Sequence, residues 1–330
     1  MKIFIISDDN TRIDQERLFL DIINKFNFEE INYCTIQKEE INRTKYTKIN
    51  FMNYEKFLLK LKNNKHTFII YFNYYGNLNN LDFTDYKLII FGHYVFYKEK
   101  RKFNNLSDLK VFDFYKLELS KENIKKLFSG SKIDFISDIN YPASIDYYNN
   151  RNIKINMVYD IFVPLGGRIN YKDLLYLIKL KSDLKFLIGP INHSGINIKK
   201  FTKFFNATHN KDNITYFNLT TSDNFSKHIL SSKIIFLPIN RHLYDLTRIS
   251  DCLSLGKIII TKKIDCTKHI GNILFYETPD EIDKIVSFNL DNKLYEDKKI
   301  ISNNIDYYDK NNSIVKLTLN LYKFLTSNNE

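Results

Sequence analysis

Cysteine is scarce in this chain. Cys34, Cys252 and Cys266 are odd in number and show no Cys-x-x-Cys spacing, which excludes a disulfide framework and a cysteine zinc site. The seven histidines are scattered, with neither a His-Glu-x-x-His motif nor a compact Cys/His cluster, so no protein-held transition metal is expected. No apolar run approaches the roughly 20 residues that cross a bilayer. The opening Met1-Lys2-Ile3-Phe4-Ile5-Ile6-Ser7 is too short, and too soon followed by Asp8 and Asp9, for a signal peptide. The sequence therefore predicts a mature chain that starts at Met1 and a cytoplasmic protein. Internal repeats, low-complexity linkers and coiled-coil heptads are also missing. Arginine is short as well, with only eight among 49 basic residues.

What remains is ordinary globular material. Hydrophobic residues make up 44% and charged residues 26% of the 330 positions, and that length suits two domains of about 150 residues each. The formal charge of +11 is compatible with a polyanionic partner such as nucleic acid or an acidic membrane. Lys98-Glu99-Lys100-Arg101-Lys102 is the densest basic run and the first place to look for contact with an anionic acceptor.

Apolar runs of strand length recur at residues 2–6, 31–36, 67–72, 87–91 and 109–114, and between most of them lie helical patterns such as residues 17–26. Continuous hydrophobic strands alternating with helices imply a parallel sheet covered on both faces. The first half thus reads as a Rossmann-like domain. Residues 139–152 are polar and turn-rich, as a linker would be. The alternation then restarts, with strands at 156–163, 184–188, 214–217, 233–237, 257–261 and 273–275. Helices are predicted at 171–180, 198–205, 225–231, 247–255 and 279–288, and an apolar terminal helix at 313–325. The predicted organisation is a first domain over 1–150, a second over 151–300 and a terminal helical segment over 301–330.

Two motifs of the second half carry chemistry. Arg248 and Asp251 stand three apart, sharing one face of a helix that runs into Gly256 and a buried strand. The planar fork of Arg248 suits a phosphate or diphosphate, and Asp251 can accept the two hydroxyls of a ribose. Gly166-Gly167-Arg168 follows one strand and precedes a helix. There glycines permit close backbone approach, and the helix N-terminus favours an anion. Both motifs fall at carboxyl ends of neighbouring predicted strands, where open α/β sheets bind ligands.

Two Rossmann-like halves, a glycine loop after the first strand of the second half, and an Arg-x-x-acid-x-x-x-x-Gly helix before a buried strand together resemble the GT-B glycosyltransferases. The second half resembles the phage DNA β-glucosyltransferases in particular. The resemblance covers most of residues 156–290 and, more faintly, the N-terminal half. It implies an α/β fold of two Rossmann-like domains facing each other across a cleft, with the C-terminal helix packing back on the body. It also implies transfer of a sugar from a nucleoside diphosphate sugar, UDP-linked, to a hydroxyl acceptor. From the phage enzymes that acceptor would be a modified base in double-stranded DNA; a surface glycan, a lipid or a protein is the alternative acceptor. A non-catalytic nucleotide- or nucleic-acid-binding module is the further alternative.

Under the resemblance, Gly166, Gly167 and Arg168 meet the donor diphosphate, Arg248 holds phosphate, Asp251 holds the ribose and Phe217 lies near the base. The acceptor half would supply a general base. His93, after the strand at 87–91, stands where the phage enzymes carry a carboxylate, and its ordinary pKa near 6.5 suits proton abstraction. Asp8 and Asp9 are rival bases, and the glycine-rich first loop of the family is missing there. Many retaining members carry two acids eight residues apart, the second at the place of Asp251. Leu243 stands eight residues earlier here, so an inverting reaction is implied. No Asp-x-Asp motif for a bound divalent ion stands out, so no cofactor is required beyond the co-substrate, with Mg²⁺ on the diphosphate left open.

Overall fold

The computed structural model describes residues 1–7, 20, 22–35, 46–64, 67–72, 84, 86–91, 106–113, 118–138, 140, 142–143, 145–166, 169–192, 196–218, 220–239, 246–264, 267–312 and 314–327. The chain divides into two compact units, one made of Met1–Asn140 with Val315–Glu330 and the other of Tyr141–Ile314. Among the described residues no helix is long and apolar enough to cross a membrane.

The first unit is built on strands β1 (Lys2–Ser7), β2 (Glu30–Thr35), β3 (Ile49–Met52), β4 (Phe68–Phe72), β5 (Lys87–Phe91), β6 (Asp108–Phe112) and β7 (Lys132–Ile136). They form one parallel sheet in the order β3-β2-β1-β4-β5-β6-β7. Ile3, Phe4, Ile5 and Ile6 are all fully buried, as a central strand covered on both faces requires. Helix α1 (Tyr54–Lys62) starts where the Asn53 side chain accepts the Lys56 N–H, the usual stop for one orphan helical donor. Its Phe57 and Leu61, one turn apart, join Phe4, Ile6 and Ile69 in the core. Helix α2 (Glu118–Leu127) adds Ile124 to the same core.

The second unit begins with a short helix, α3 (Ile145–Asn149). There follow β8 (Tyr159–Pro164), α4 (Tyr171–Leu180), β9 (Phe186–Gly189), α5 (Ile198–Asn206), β10 (Ile214–Tyr216), α6 (Ser222–Leu230) and β11 (Ser232–Leu237). Then come α7 (Leu246–Ser254), β12 (Ile258–Lys262), β13 (Leu274–Tyr276), α8 (Pro279–Asp291), a 3-10 turn at Leu294–Glu296 and α9 (Lys298–Asn311). The strands make a parallel sheet ordered β10-β9-β8-β11-β12-β13. The order in which successive strands are added reverses between β8 and β11. Helix α4 packs with α5 and α8, whereas α7 packs with α3 and α9, and α3 with α6.

Two predicted features come out differently. The polar stretch at 139–152 is no solvated linker throughout. It carries α3, its Tyr147 and Asn150 are buried, and Asn150 Nδ2 donates to Asp223 Oδ1 at 2.9 Å and to Ser226 Oγ at 2.5 Å. Residues 301–311, expected within a terminal helical segment, belong to α9, which packs on α7 within the second unit.

Helix α10 (Ile314–Ser327) closes the chain on the first unit. Tyr322 meets Phe26 at 5.1 Å between ring centroids, Phe324 meets Phe68 edge-on at 5.8 Å, and Asn320 donates to Asp138 at 2.9 Å. Its apolar character is thereby explained, since Leu317, Leu321 and Leu325 are buried.

Candidate functional site

The reversal between β8 and β11 is the place where a sheet of this order opens a crevice at its carboxyl edge. Two loops meet there. After β8 the chain passes through Leu165 and half-buried Gly166, and Ile169 then pairs as an isolated antiparallel bridge with Ile239, beyond β11. The Asn170 N–H donates to the Pro238 carbonyl at 2.6 Å. Ile169 and Asn170, at the start of α4, are therefore hydrogen-bonded neighbours of Pro238 and Ile239, just past β11.

Helix α4 begins directly after this bridge. The Asn170 side chain caps it by accepting the Lys172 N–H, and Asp173 supplies a buried negative charge in the first turn, the sign that the helix N-terminus favours. Tyr276 of β13 donates to Asp173 Oδ2 at 2.9 Å. Burial, reinforced by that carboxylate, pushes the Tyr276 phenol well above its usual range. This pair fixes the start of α4 against the sheet.

Arg248 and Asp251 lie on the first two turns of α7, and their side chains are 12% and 7% exposed. Arg248 Nη1 donates to Asp251 Oδ2 at 3.1 Å. The guanidinium also stacks 4.1 Å from the ring centroid of Phe225, in the first turn of α6. Burial pulls the Arg248 pKa down, but Tyr147 and Asp251 outweigh it, so the net shift is upward and the group stays charged. The sequence assigned the fork of Arg248 to a phosphate; one of its N–H groups is engaged by Asp251 instead.

Phe217, just past β10, is half-buried. Its ring lies 5.9 Å from Phe162 of β8, 6.0 Å from Phe225 and 4.3 Å from His228. Burial holds the His228 imidazole below its ordinary pKa. Phe217, Arg248 and Asp251 are thus joined through Phe225. The sequence had set Phe225 in a helix without singling it out, because helical periodicity marks a buried position and says nothing of what stacks on it.

The other candidates, namely Asp8, Asp9, His93, Gly167, Arg168 and the basic run at 98–102, lie outside the described residues. Among the described residues no group of three or more His, Cys, Asp or Glu side chains is arranged to hold a metal ion.

No family model matches this chain, and no curated protein matches it. Solved structures do. HepE from Anabaena, in complex with UDP and glucose, superimposes with a TM-score of 0.67 at 10% identity over 99% of this chain and 100% of its own. A glycosyltransferase from Rickettsia africae gives a TM-score of 0.68 at 13% identity over 98% of each chain. Sucrose-phosphate synthase from Thermosynechococcus elongatus gives 0.62 at 9% identity, again over 98% of each. At such identities the likeness shows the fold, and this chain has the two-domain α/β fold of the GT-B kind.

Proposed function

We propose that this chain is a glycosyltransferase that moves a sugar from a nucleoside diphosphate donor, UDP-linked, to an acceptor hydroxyl with inversion. One observation carries the reading. Asp251 sits in the second turn of α7, the helix after β11 and beside the β8–β11 reversal, in a fold shared with a protein that holds UDP and glucose.

In this reading Asp251 accepts the ribose hydroxyls and Phe217 flanks the base. Gly166, Gly167, Arg168 and the N-terminal N–H groups of α4 receive the diphosphate. His93, with Asp8 and Asp9 as the alternatives, takes the proton from the acceptor hydroxyl. The freed oxygen attacks the anomeric carbon from the face opposite the leaving group. The bond to the β-phosphate oxygen breaks, and UDP departs with the negative charge that Arg168 meets. Mg²⁺, where present, rides on the diphosphate.

The acceptor is a modified base in DNA, a reading supported by the +11 charge and by the motif-level likeness of the second half to phage DNA β-glucosyltransferases. Such a base has to be turned out of the stack to be reached. A glycan, lipid or protein hydroxyl keeps the same donor chemistry and is the competing acceptor.

The test is a panel of nucleotide sugars followed by transfer assays. A ligand that binds only the folded state raises its melting temperature, so UDP-sugars should stabilise the chain and ADP- or GDP-sugars should not. Transfer to hydroxymethylated duplex DNA supports the DNA acceptor, and transfer only to a glycan or lipid removes it. UDP-sugar binding with neither transfer nor hydrolysis would leave a binding module.

A further inference from the structure

We infer that Arg248 is a positioning residue that acts through Asp251 and is not itself a phosphate ligand. The inference rests on the nucleotide reading above and assigns a role within that site. A guanidinium that receives phosphate has to present its fork to incoming solvent-borne oxygens. Arg248 instead sits over the ring of Phe225, with Cζ 4.1 Å from its centroid, and donates to Asp251 Oδ2 at 3.1 Å from one turn away. Phe225 is a rigid floor for it, being buried and packed edge-on against Phe162 of β8 at 5.5 Å.

The consequence falls on Asp251. A carboxylate this buried is costly to keep ionised unless a cation and hydrogen bonds compensate it. Arg248 supplies both, and the stack on Phe225 prevents the guanidinium from swinging away to follow a ligand. Asp251 is thereby kept charged and in one orientation, as acceptance of two vicinal hydroxyls demands. The ligand chemistry governed by Arg248 is that of the ribose diol.

Binding of UDP, uridine and 2′,3′-dideoxyuridine diphosphate to the intact chain separates the two roles. Arg248→Gln should weaken UDP and uridine by the same factor, about tenfold or more for a charge-assisted hydrogen bond, and leave the dideoxy diphosphate unchanged. Arg248→Lys should restore part of the loss, because a cation still faces Asp251. Removing one partner of a buried pair should lower the melting temperature, so the titrations are made well below the melting point of each variant, and loss of binding is then not loss of fold. A loss confined to the two diphosphates, with uridine unaffected, would overturn the positioning role and return Arg248 to the phosphate. Failure of the native chain to bind any of the three would overturn the nucleotide reading together with this inference.

Discussion

Gly189, the last residue of β9, lies directly beneath Phe217. A Cβ at that position would stand 2.6 Å from the Phe217 ring and 2.6 Å from its carbonyl oxygen. The carbonyl cannot retreat freely, because it accepts the Ile191 N–H at 2.9 Å. Gly189→Ala is therefore expected to destabilise the second unit by about 1–3 kcal/mol through overpacking. A lowered urea midpoint checks this, and an unchanged midpoint would mean that Phe217 moves aside without cost.

Arg151 ties three helices together. Its guanidinium forms a two-point pair with Asp309 at 2.9 and 2.7 Å, donates through Nε to the Ser254 carbonyl at 2.7 Å, and stacks on Tyr148 at 4.4 Å. Arg151→Ala should cost about 2–3 kcal/mol, a few charge-assisted bonds less the solvent share. Arg151→Lys should recover only a part, since an ammonium lacks the planar fork. Thermal melts of the two variants, ranked Ala below Lys below native, are the expected result.

Cys34 gives a pH dependence of known sign. It is fully buried in β2, and burial pushes its thiol from 9.0 up to about 12. Above pH 9 the unfolded chain sheds this proton while the folded chain keeps it. The stability contributed by the thiol is thus whole below pH 9 and is lost as pH climbs towards 12, by ~1.4 kcal/mol per unit. Urea midpoints at pH 8 and pH 10.5 in reductant should fall less for Cys34→Ala than for the native chain. Equal falls would show that Cys34 takes no part.

The phenol of Tyr308, on α9, accepts the Ala143 N–H at 3.1 Å in a buried setting. Tyr308→Phe keeps the ring beside Arg151, 5.3 Å away, but leaves that N–H without its partner. The expected cost is about 1–2 kcal/mol. Hydrogen exchange at Ala143 should quicken in the variant, while amides in β8 and β11 hold their protection.

The sheets were legible because their central strands are uninterrupted apolar runs, Ile3–Ile6 and Ile234–Leu237 among them. The edge strands of the first sheet, β3 and β7, were not. β7 carries Lys132 and Asp134 on one face, and β3 is four residues long, so neither stands out from a loop. Helix α9 was not separated from the terminal helical segment because its buried side chains are Asn304 and Tyr308. Asn304 is buried for a reason no periodicity reveals, namely that its Nδ2 donates to the Lys257 carbonyl at 2.9 Å. At the candidate site, the shared helical face of Arg248 and Asp251 follows from their spacing. The stack on Phe225 does not, since it joins two helices through the folded chain. Asn supplies N-caps at Asn53, Asn170 and Asn197, which capping preference alone does not place without knowing where the helices start.

The account turns on Asp251 holding the ribose of a uridine nucleotide. Calorimetric titration of UDP into the native chain and into Asp251→Asn tests this most directly. The expected result is one saturable site in the native chain, weakened about tenfold or more in the variant, with both proteins folded at the temperature of the titration. UDP binding of equal strength in the two proteins, or no binding to the native chain, would contradict it.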